Sequence, residues 1–386
     1  MSETPSSSWM LIAVQADLER LIRTLRSQPA IAVDTESNSL YAYHERVCLI
    51  QISVPGLDYI VDPLAELDPA PLGDIFADPG IQKVFHAAEQ DIAGLKRDFG
   101  FSFANLFDTM RAARILGWPR VGLADLLQER FGVYTNKRFQ RHNWGQRPLS
   151  PEALAYAALD TRYLLPLRDI QVRELVQRGR MRHATETFDR LPRTPPAVLH
   201  YGPQAFWRVR DVYLLDDRER AILWQLYLWR DRVARDQNRP PFRVMSDEVM
   251  VRLVRVRPHT PAELTTKGRL PEPLIRRYGQ AILEAIRRGE RGTAPSPPCL
   301  RPPEDAAERY QALRMWRRRV AEARGVDPDA ILPSTVLWAL AERAPQTMHD
   351  LEEMDDLGPW ARETWGPEII EVLRQCTEEN PQEEVT

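Results

Sequence analysis

Ile31-Ala32-Val33-Asp34-Thr35-Glu36 predicts a strand that starts apolar and ends in two carboxylates. Side chains two residues apart on a strand point to the same face, so Asp34 and Glu36 should project together. Two neighbouring like charges are unfavourable unless a cation or solvent compensates them. The stretch alone therefore leaves two interpretations open, a solvated strand end and a cation site.

The residues around this strand predict a mixed α/β domain, because β-rich segments alternate with segments of helical periodicity. Further strands are expected at 9–14, 47–54, 58–61 and 82–86, and helices at 17–26, 69–77, 89–99, 108–116 and 122–131. Ser150 is a suitable N-cap and Pro151 a suitable first helical residue. The helix that starts there should run past Asp160 toward Arg178, with a kink or break at Pro166.

Composition favours two or three globular domains in a reducing compartment. The chain has 386 residues, of which 43% are hydrophobic, and three widely spaced cysteines. That spacing argues against a disulfide framework or a structural zinc site. The sequence shows no signal peptide and no apolar run of membrane-spanning length, so we predict a soluble, cytoplasmic protein without membrane contact.

The C-terminal half is predicted to contain two copies of one all-α module. Landmarks recur after 87 residues, such as Trp229 with Trp316 and Leu264 with Leu351. The predicted layout is a catalytic domain at 1–190, a linker at 191–204, a first module at 205–292, a Pro-rich linker at 293–303, a second module at 304–378 and a disordered acidic tail at 379–386. The first module carries a net charge of +7, whereas residues 303–386 carry −10. A nucleic-acid partner is therefore compatible with the total charge of −3.

Three acidic clusters occur in order within the α/β domain. Asp34 and Glu36 form the first, Asp91 at a helix start the second, and Tyr156 with Asp160 the third. Taken singly, these clusters have ordinary structural explanations. An acid in a first helical turn interacts favourably with the helix dipole, and a Tyr–Asp pair four residues apart usually packs at the surface. Together, four carboxylates fit a site for two divalent cations acting on a phosphodiester.

These motifs resemble ribonuclease D, in the DEDD superfamily of 3′→5′ exonucleases and its branch with a tyrosine in the third motif. The motifs are Val33-Asp34-Thr35-Glu36, Phe85-His86 with Asp91, and Tyr156-Ala157-Ala158-Leu159-Asp160. Lys137, Gln140, Asn143-Trp144 and Arg147-Pro148-Leu149 match the segment between them. The repeated modules resemble HRDC domains. Asn136 and Asn143 depart from the pattern, since many relatives have aspartate there.

The resemblance implies a ribonuclease H-like mixed sheet flanked by helices and followed by two HRDC modules. It implies that four acids hold two divalent cations, Mg²⁺ or Mn²⁺, and that Tyr156 aligns the attacking water; these acids are Asp34, Glu36, Asp91 and Asp160. The implied reaction trims 3′ ends of structured RNA, such as tRNA precursors, and releases nucleoside 5′-monophosphates. We expect a monomer.

Substrate contacts are expected from residues near the motifs, namely Leu40, Tyr43, Lys137, Gln140 and Trp144. His86 and Asp108 are interpreted as structural. In the first HRDC module a row of arginines should follow an RNA backbone: Arg230, Arg232, Arg235, Arg239 and Arg243. Trp229 and Trp316 should pack in the module cores. The acidic second module is expected to be architectural or to face a protein partner.

Two other functions remain compatible with the sequence. A 3′→5′ DNA exonuclease of proofreading or repair type would use the same acids, since the metal site does not distinguish sugars. A non-catalytic RNA-binding scaffold would use only the HRDC modules. The presence of all four carboxylates and the tyrosine argues against the scaffold.

Overall fold

The computed structural model describes residues 9–198, 201–297 and 304–378. The predicted acidic tail, Cys299 and most of the second Pro-rich linker lie outside these residues. The chain divides into two compact units. The first contains the described residues of Met1–Glu36, Val47–Ala197 and Arg301–Thr386, and the second contains Ser37–Arg46 and the described residues of Val198–Leu300. Among the described helices, none is both long and apolar enough to cross a membrane.

A six-stranded mixed sheet forms the centre of the first unit, with strand order β1-β4-β3-β2-β5-β6. The strands are β1 (Trp9–Ile12), β2 (Ala30–Ser37), β3 (Val47–Val54), β4 (Leu57–Val61), β5 (Gln82–Phe85) and β6 (Leu106–Asp108). β3 and β4 form an antiparallel hairpin, whereas β1–β4, β2–β5 and β5–β6 pair in parallel. Gly56 allows the tight hairpin turn because its φ is +86°.

Eight helices flank this sheet within the described part of the first unit that precedes Val198, called the catalytic region below after the domain predicted there. They are α1 (Gln15–Leu25), α2 (Leu72–Ala77), α3 (Glu89–Phe99), α4 (Thr109–Leu116), α5 (Leu123–Phe131), α6 (Pro151–Arg162), α7 (Leu164–Gln177) and α8 (Met181–Phe188). The Ser150 hydroxyl accepts a hydrogen bond from Ala153 N at 3.2 Å, as an N-cap does. The expected break falls at Tyr163, because Pro166 lacks the N–H that would bond the Arg162 carbonyl.

The two HRDC-like modules are repeats at the level of every helix. The first contains α9 (Asp217–Asp236), α10 (Pro241–Val244), α11 (Asp247–Val256), α12 (Pro261–Thr266) and α13 (Glu272–Arg291). The second contains α14 (Glu304–Arg324), α15 (Pro328–Ile331), α16 (Ser334–Arg343), α17 (Met348–Glu352) and α18 (Pro359–Glu378). Each helix of the second module starts 87 residues after its counterpart. Trp316 is buried in the core of the second module. Trp229 is half-buried and packs against the core of the first module. The predicted fold class is thereby confirmed.

The second module packs against the catalytic region within the first unit. The Glu186 carboxylate of α8 accepts hydrogen bonds from Trp360 N at 2.6 Å and Ala361 N at 3.3 Å, at the start of α18. A carboxylate at this position also favours the helix dipole. The His183 ring stacks on Trp360, with centroids 4.3 Å apart. These contacts support the architectural role predicted for the second module.

Candidate active site

The C-terminal end of β2 supplies the first two acids and secures a third. Asp34 and Glu36 lie half-buried on one face of the strand. The Thr35 hydroxyl and backbone N–H, between these two acids in the sequence, donate to Asp91 Oδ1 at 2.5 and 3.1 Å. Thr35 of the first motif therefore orients Asp91, the acid of the second motif. This role of Thr35 was not predicted, because residue spacing along a strand does not reveal a contact with a side chain 56 residues away.

The structure brings the four predicted carboxylates into one cluster from three elements, β2, α3 and α6. Asp34 is close enough to Glu36, Asp91 and Asp160 for the charge of each to raise its pKa. The charges of Asp160 and Asp91 likewise raise the pKa of Glu36. Within the described ranges, no three His, Cys, Asp or Glu side chains converge into a ready-made metal cage. The cluster is therefore an open group of carboxylates.

Burial and mutual repulsion make this cluster hold its protons unusually strongly. Burial, followed by repulsion from the other acids, raises the pKa of Asp34 and of Glu36 well above the ordinary range. Burial raises the pKa of Asp91 and of Asp160 to about 7. Negative charge concentrated in this way, with oxygen atoms as the donors, fits hard divalent cations such as Mg²⁺.

Tyr156 lies one helical turn before Asp160 and is flanked by aromatic rings. Its centroid is 5.5 Å from that of Phe139 and 6.3 Å from that of Trp144, which is nearly parallel to it. Burial, with repulsion from Asp160, raises the pKa of Tyr156 above its ordinary value. The phenol therefore stays protonated near neutral pH and is available as a hydrogen-bond donor.

Asp108 and His86 have structural contacts, as expected. The Asp108 carboxylate caps α4 through Met110 N and Arg111 N, and it also accepts from Ala88 N at 2.9 Å before α3. His86 Nδ1 lies 2.9 Å from the Thr109 hydroxyl, and burial lowers the pKa of His86 to about 4. A neutral, hydrogen-bonded histidine is the result.

Two of the five predicted substrate contacts need correction because the side chains are buried. Tyr43 is 2% exposed, and its hydroxyl donates to Asp231 at 2.7 Å. Trp144 is also 2% exposed and packs beneath α6. Leu40 and Gln140 are exposed, whereas the side chain of Lys137 lies outside the described residues. Aromatic residue type had suggested base stacking, but it does not by itself indicate exposure.

The arginine row of the first module also needs correction, because three of its members have internal partners. Arg230 is buried and pairs with Asp247 at 2.6 Å. Arg235 pairs with Asp231 at 2.9 Å, and Arg243 donates to the Leu40 carbonyl at 2.9 Å. The side chains of Arg232 and Arg239 are exposed. Three of the five arginines therefore have structural contacts within the protein, and the predicted row does not act as one continuous set of cations.

Comparisons with known proteins agree with this architecture. A family model described as 3′-5′ exonuclease matches residues 10–175, and the HRDC domain model matches 219–286 and 306–373. Ribonuclease D of Acidiphilium cryptum is 32% identical over 344 residues, covering 84% of this chain and 87% of that protein.

Similarity extends to a longer relative and to a solved structure. Exosome complex exonuclease RRP6 of Saccharomyces cerevisiae is 32% identical over 277 residues, and the chain spans only 38% of its length. The crystal structure of Escherichia coli RNase D, titled an exoribonuclease involved in structured RNA processing, superposes with a TM-score of 0.69 at 26% identity. That match covers 97% of this chain and all of the other.

Replacing Asp160 by Asn should stabilise the metal-free protein at pH 8. A carboxylate whose folded-state pKa is raised to about 7 costs stability as pH rises from its unfolded value near 4, and the cost levels off above 7. We expect Asp160→Asn to raise the free energy of unfolding by roughly 1–3 kcal/mol at pH 8 in EDTA, with little effect at pH 4. Denaturant melts at both pH values measure this.

Asp74→Asn is the matched control, because the Asp74 side chain is 78% exposed and should show no such pH dependence. A destabilisation by Asp160→Asn of equal size at both pH values contradicts the idea that burial of a charged carboxylate lowers the stability of the metal-free protein.

Proposed function

The chain belongs to the ribonuclease D family, and from this premise we propose that it is a divalent-metal-dependent 3′→5′ exoribonuclease. The observation that carries the proposal is the cluster of four carboxylates, one buried and three half-buried, beside Tyr156. A structural ion-pair network would combine acids with cations and lower their pKa values. Here the pKa values rise, which is the arrangement expected of acids that await metal and phosphate.

Four acids would hold two divalent cations, Mg²⁺ or Mn²⁺: Asp34, Glu36, Asp91 and Asp160. When bound, such ions lower the pKa of water and neutralise charge developing on a phosphodiester. The chain itself would contribute orientation. Thr35 holds Oδ1 of Asp91 through its hydroxyl and its backbone N–H. The protonated Tyr156 phenol would donate a hydrogen bond that orients the attacking water.

The proposed reaction removes one nucleotide at a time from the 3′ end. Water attacks the last phosphorus, the bond to the 3′ oxygen of the preceding nucleotide breaks, and that oxygen takes up a proton. The phosphate stays with the departing residue as a nucleoside 5′-monophosphate, and the shortened RNA keeps a 3′ hydroxyl. Structured RNAs such as tRNA precursors are the proposed substrates, in line with the description of the Escherichia coli relative.

The first HRDC module is proposed to hold the RNA body through the turn between α12 and α13. Four cations lie at this turn, namely Lys267, Arg269, Arg276 and Arg277. Two of them have acidic partners one helical turn earlier, since Lys267 pairs with Glu263 at 2.6 Å and Arg276 with Glu272 at 2.8 Å. At the same 87-residue offset the second module has Met354, Asp356, Glu363 and Thr364. Its turn contacts the catalytic region, where Arg193 donates to the Asp355 carbonyl at 3.0 Å. The duplicated turns have thus diverged in charge, and the basic copy suits a phosphate backbone.

Asp34→Asn should lower the turnover of a 3′-extended tRNA by more than about a hundredfold. Loss of an outer partner of a metal ligand already costs about 10–100-fold, and loss of a ligand should cost more. Release of 5′-mononucleotides in Mg²⁺, with and without EDTA, is the measurement, and Asp74→Asn again serves as control. Near-normal release by Asp34→Asn would remove this acid from the site.

Matched RNA and DNA oligonucleotides of one sequence separate the proposed activity from that of a DNA exonuclease. We expect the RNA strand to be shortened from its 3′ end at least about tenfold faster, the equivalent of 1.4 kcal/mol in the barrier. Equal or faster degradation of the DNA strand would favour the DNA exonuclease. Binding of RNA without mononucleotide release would favour the non-catalytic scaffold.

Arg269→Ala/Arg277→Ala should weaken binding of structured RNA and flatten its salt dependence. Each lost phosphate contact removes about 0.7–0.9 from the slope of log affinity against log salt, so the slope should fall by about 1.5. Arg314→Ala/Arg319→Ala removes two exposed arginines of the second module and is the matched control. Equal effects of the two double variants would count against a specific role of the basic turn.

A further inference from the structure

The segment between α5 and α6 has little regular backbone structure to hold it in place. One short 3₁₀ turn, Lys137–Arg141, interrupts it. Two of its backbone hydrogen bonds are local, from His142 N to Phe139 O at 2.9 Å and from Gln146 N to Asn143 O at 3.0 Å. Bonds of this kind shape a loop but do not attach it to a sheet.

Arg147 provides the attachment with all five of its N–H donors. Nε and Nη2 donate to the two oxygens of Asp62, at 2.6 and 2.7 Å. Nη2 also donates to the Cys48 carbonyl at 2.9 Å, in β3. Nη1 donates to the carbonyls of Trp144 at 2.7 Å and Gln146 at 2.8 Å. A guanidinium has five donors, so Arg147 joins the loop to the sheet with its full capacity.

The loop that Arg147 holds carries the rings that flank Tyr156. Trp144 lies nearly parallel to the phenol, at an interplanar angle of 24°, and Phe139 contacts it from 5.5 Å. The Trp144 indole N–H is buried without a hydrogen-bond partner. Trp144 is joined to the anchored guanidinium through its backbone carbonyl, which accepts the hydrogen bond from Arg147.

We propose that Arg147 is a positioning residue for the reaction and acts through Trp144 and Phe139 on the Tyr156 phenol. Asp62, which is 7% exposed and directly follows β4, is its anchor. This inference rests on the proposed function, since it assumes that the Tyr156 hydroxyl orients water. A displacement of reacting groups by about 1 Å can lower a rate by about a hundredfold, so the tightness of this attachment affects turnover.

A second Arg–Asp pair, at the C-terminal end of α6, provides a comparison. Arg162 Nε donates to Asp58 Oδ2 at 2.6 Å, and the Ser53 hydroxyl donates to Asp58 Oδ1 at 2.6 Å. Ser53 also contacts the Thr161 hydroxyl at 2.6 Å. This pair adjoins Asp160, whereas the Arg147 pair serves the Tyr156 end. Loss of the Arg147 pair should therefore lower kcat, whereas loss of the Arg162 pair should change the Mg²⁺ dependence of the rate.

A double-mutant cycle on an RNA oligonucleotide tests the proposal. Arg147→Lys keeps the charge but cannot bridge five acceptors, and it should lower kcat about tenfold while changing KM less than about twofold. In the Tyr156→Phe background the same substitution should lower kcat less than about twofold, because the hydroxyl that it positions is gone. Arg162→Lys should instead raise the Mg²⁺ concentration that gives half-maximal rate.

The exposed Arg23→Lys is the control for loss of an arginine in this domain. Equal losses of kcat from Arg147→Lys in both backgrounds, or no loss in either, would overturn the proposal. If Arg147→Lys does not fold, as judged by its thermal melt, Asp62→Asn replaces it in the same cycle. A wild-type protein that releases no nucleotide from RNA refutes the proposed function itself, whereas additive losses in an active enzyme refute only the role of Arg147.

Discussion

The withdrawal of four neighbouring carboxylates from solvent, with repulsion at Asp34 and Glu36 in addition, is the constraint around which the catalytic region is built. Isolated acids at these positions would be solvated or neutralised by nearby cations, but β2, α3 and α6 hold them together instead. The cost of that arrangement falls on the metal-free protein. Hydrogen bonds around the cluster offset this cost by holding the three elements in place. Thr35 fixes Asp91, Asp108 fixes the turn before α3, and Arg162 fixes the end of α6.

The two HRDC modules show how a duplicated fold acquires separate uses without a change of backbone. Their helices start at equivalent positions throughout, and their cores keep the same landmarks. The surface charges differ. The acidic copy lies against the catalytic region, with Glu186 at the start of α18. The basic copy has a proline, Pro273, where Trp360 offers its N–H, so the same capping bond cannot form there.

Much of this could be predicted from the sequence, because the chemistry of the motifs is visible in residue types and spacing. The strand that carries Asp34, the helix that begins at Ser150 and the 87-residue repeat are all local patterns. Residue roles that depend on tertiary contacts were not predicted. Tyr43 and Trp144 suggested base stacking but are buried, and the five bonds of Arg147 join residues up to 99 positions apart. No periodicity encodes such contacts.

The order of segments in the first unit has a consequence for how the protein is made. This unit is discontinuous in sequence, since residues of the second unit interrupt it twice, between Glu36 and Val47 and between Ala197 and Arg301. During synthesis, the surface of α8 that receives α18 emerges long before its partner does. His183 and Glu186 must therefore remain solvated, or be covered by other molecules, until α18 has left the ribosome. The packing around α8 is completed only when α18 folds against it.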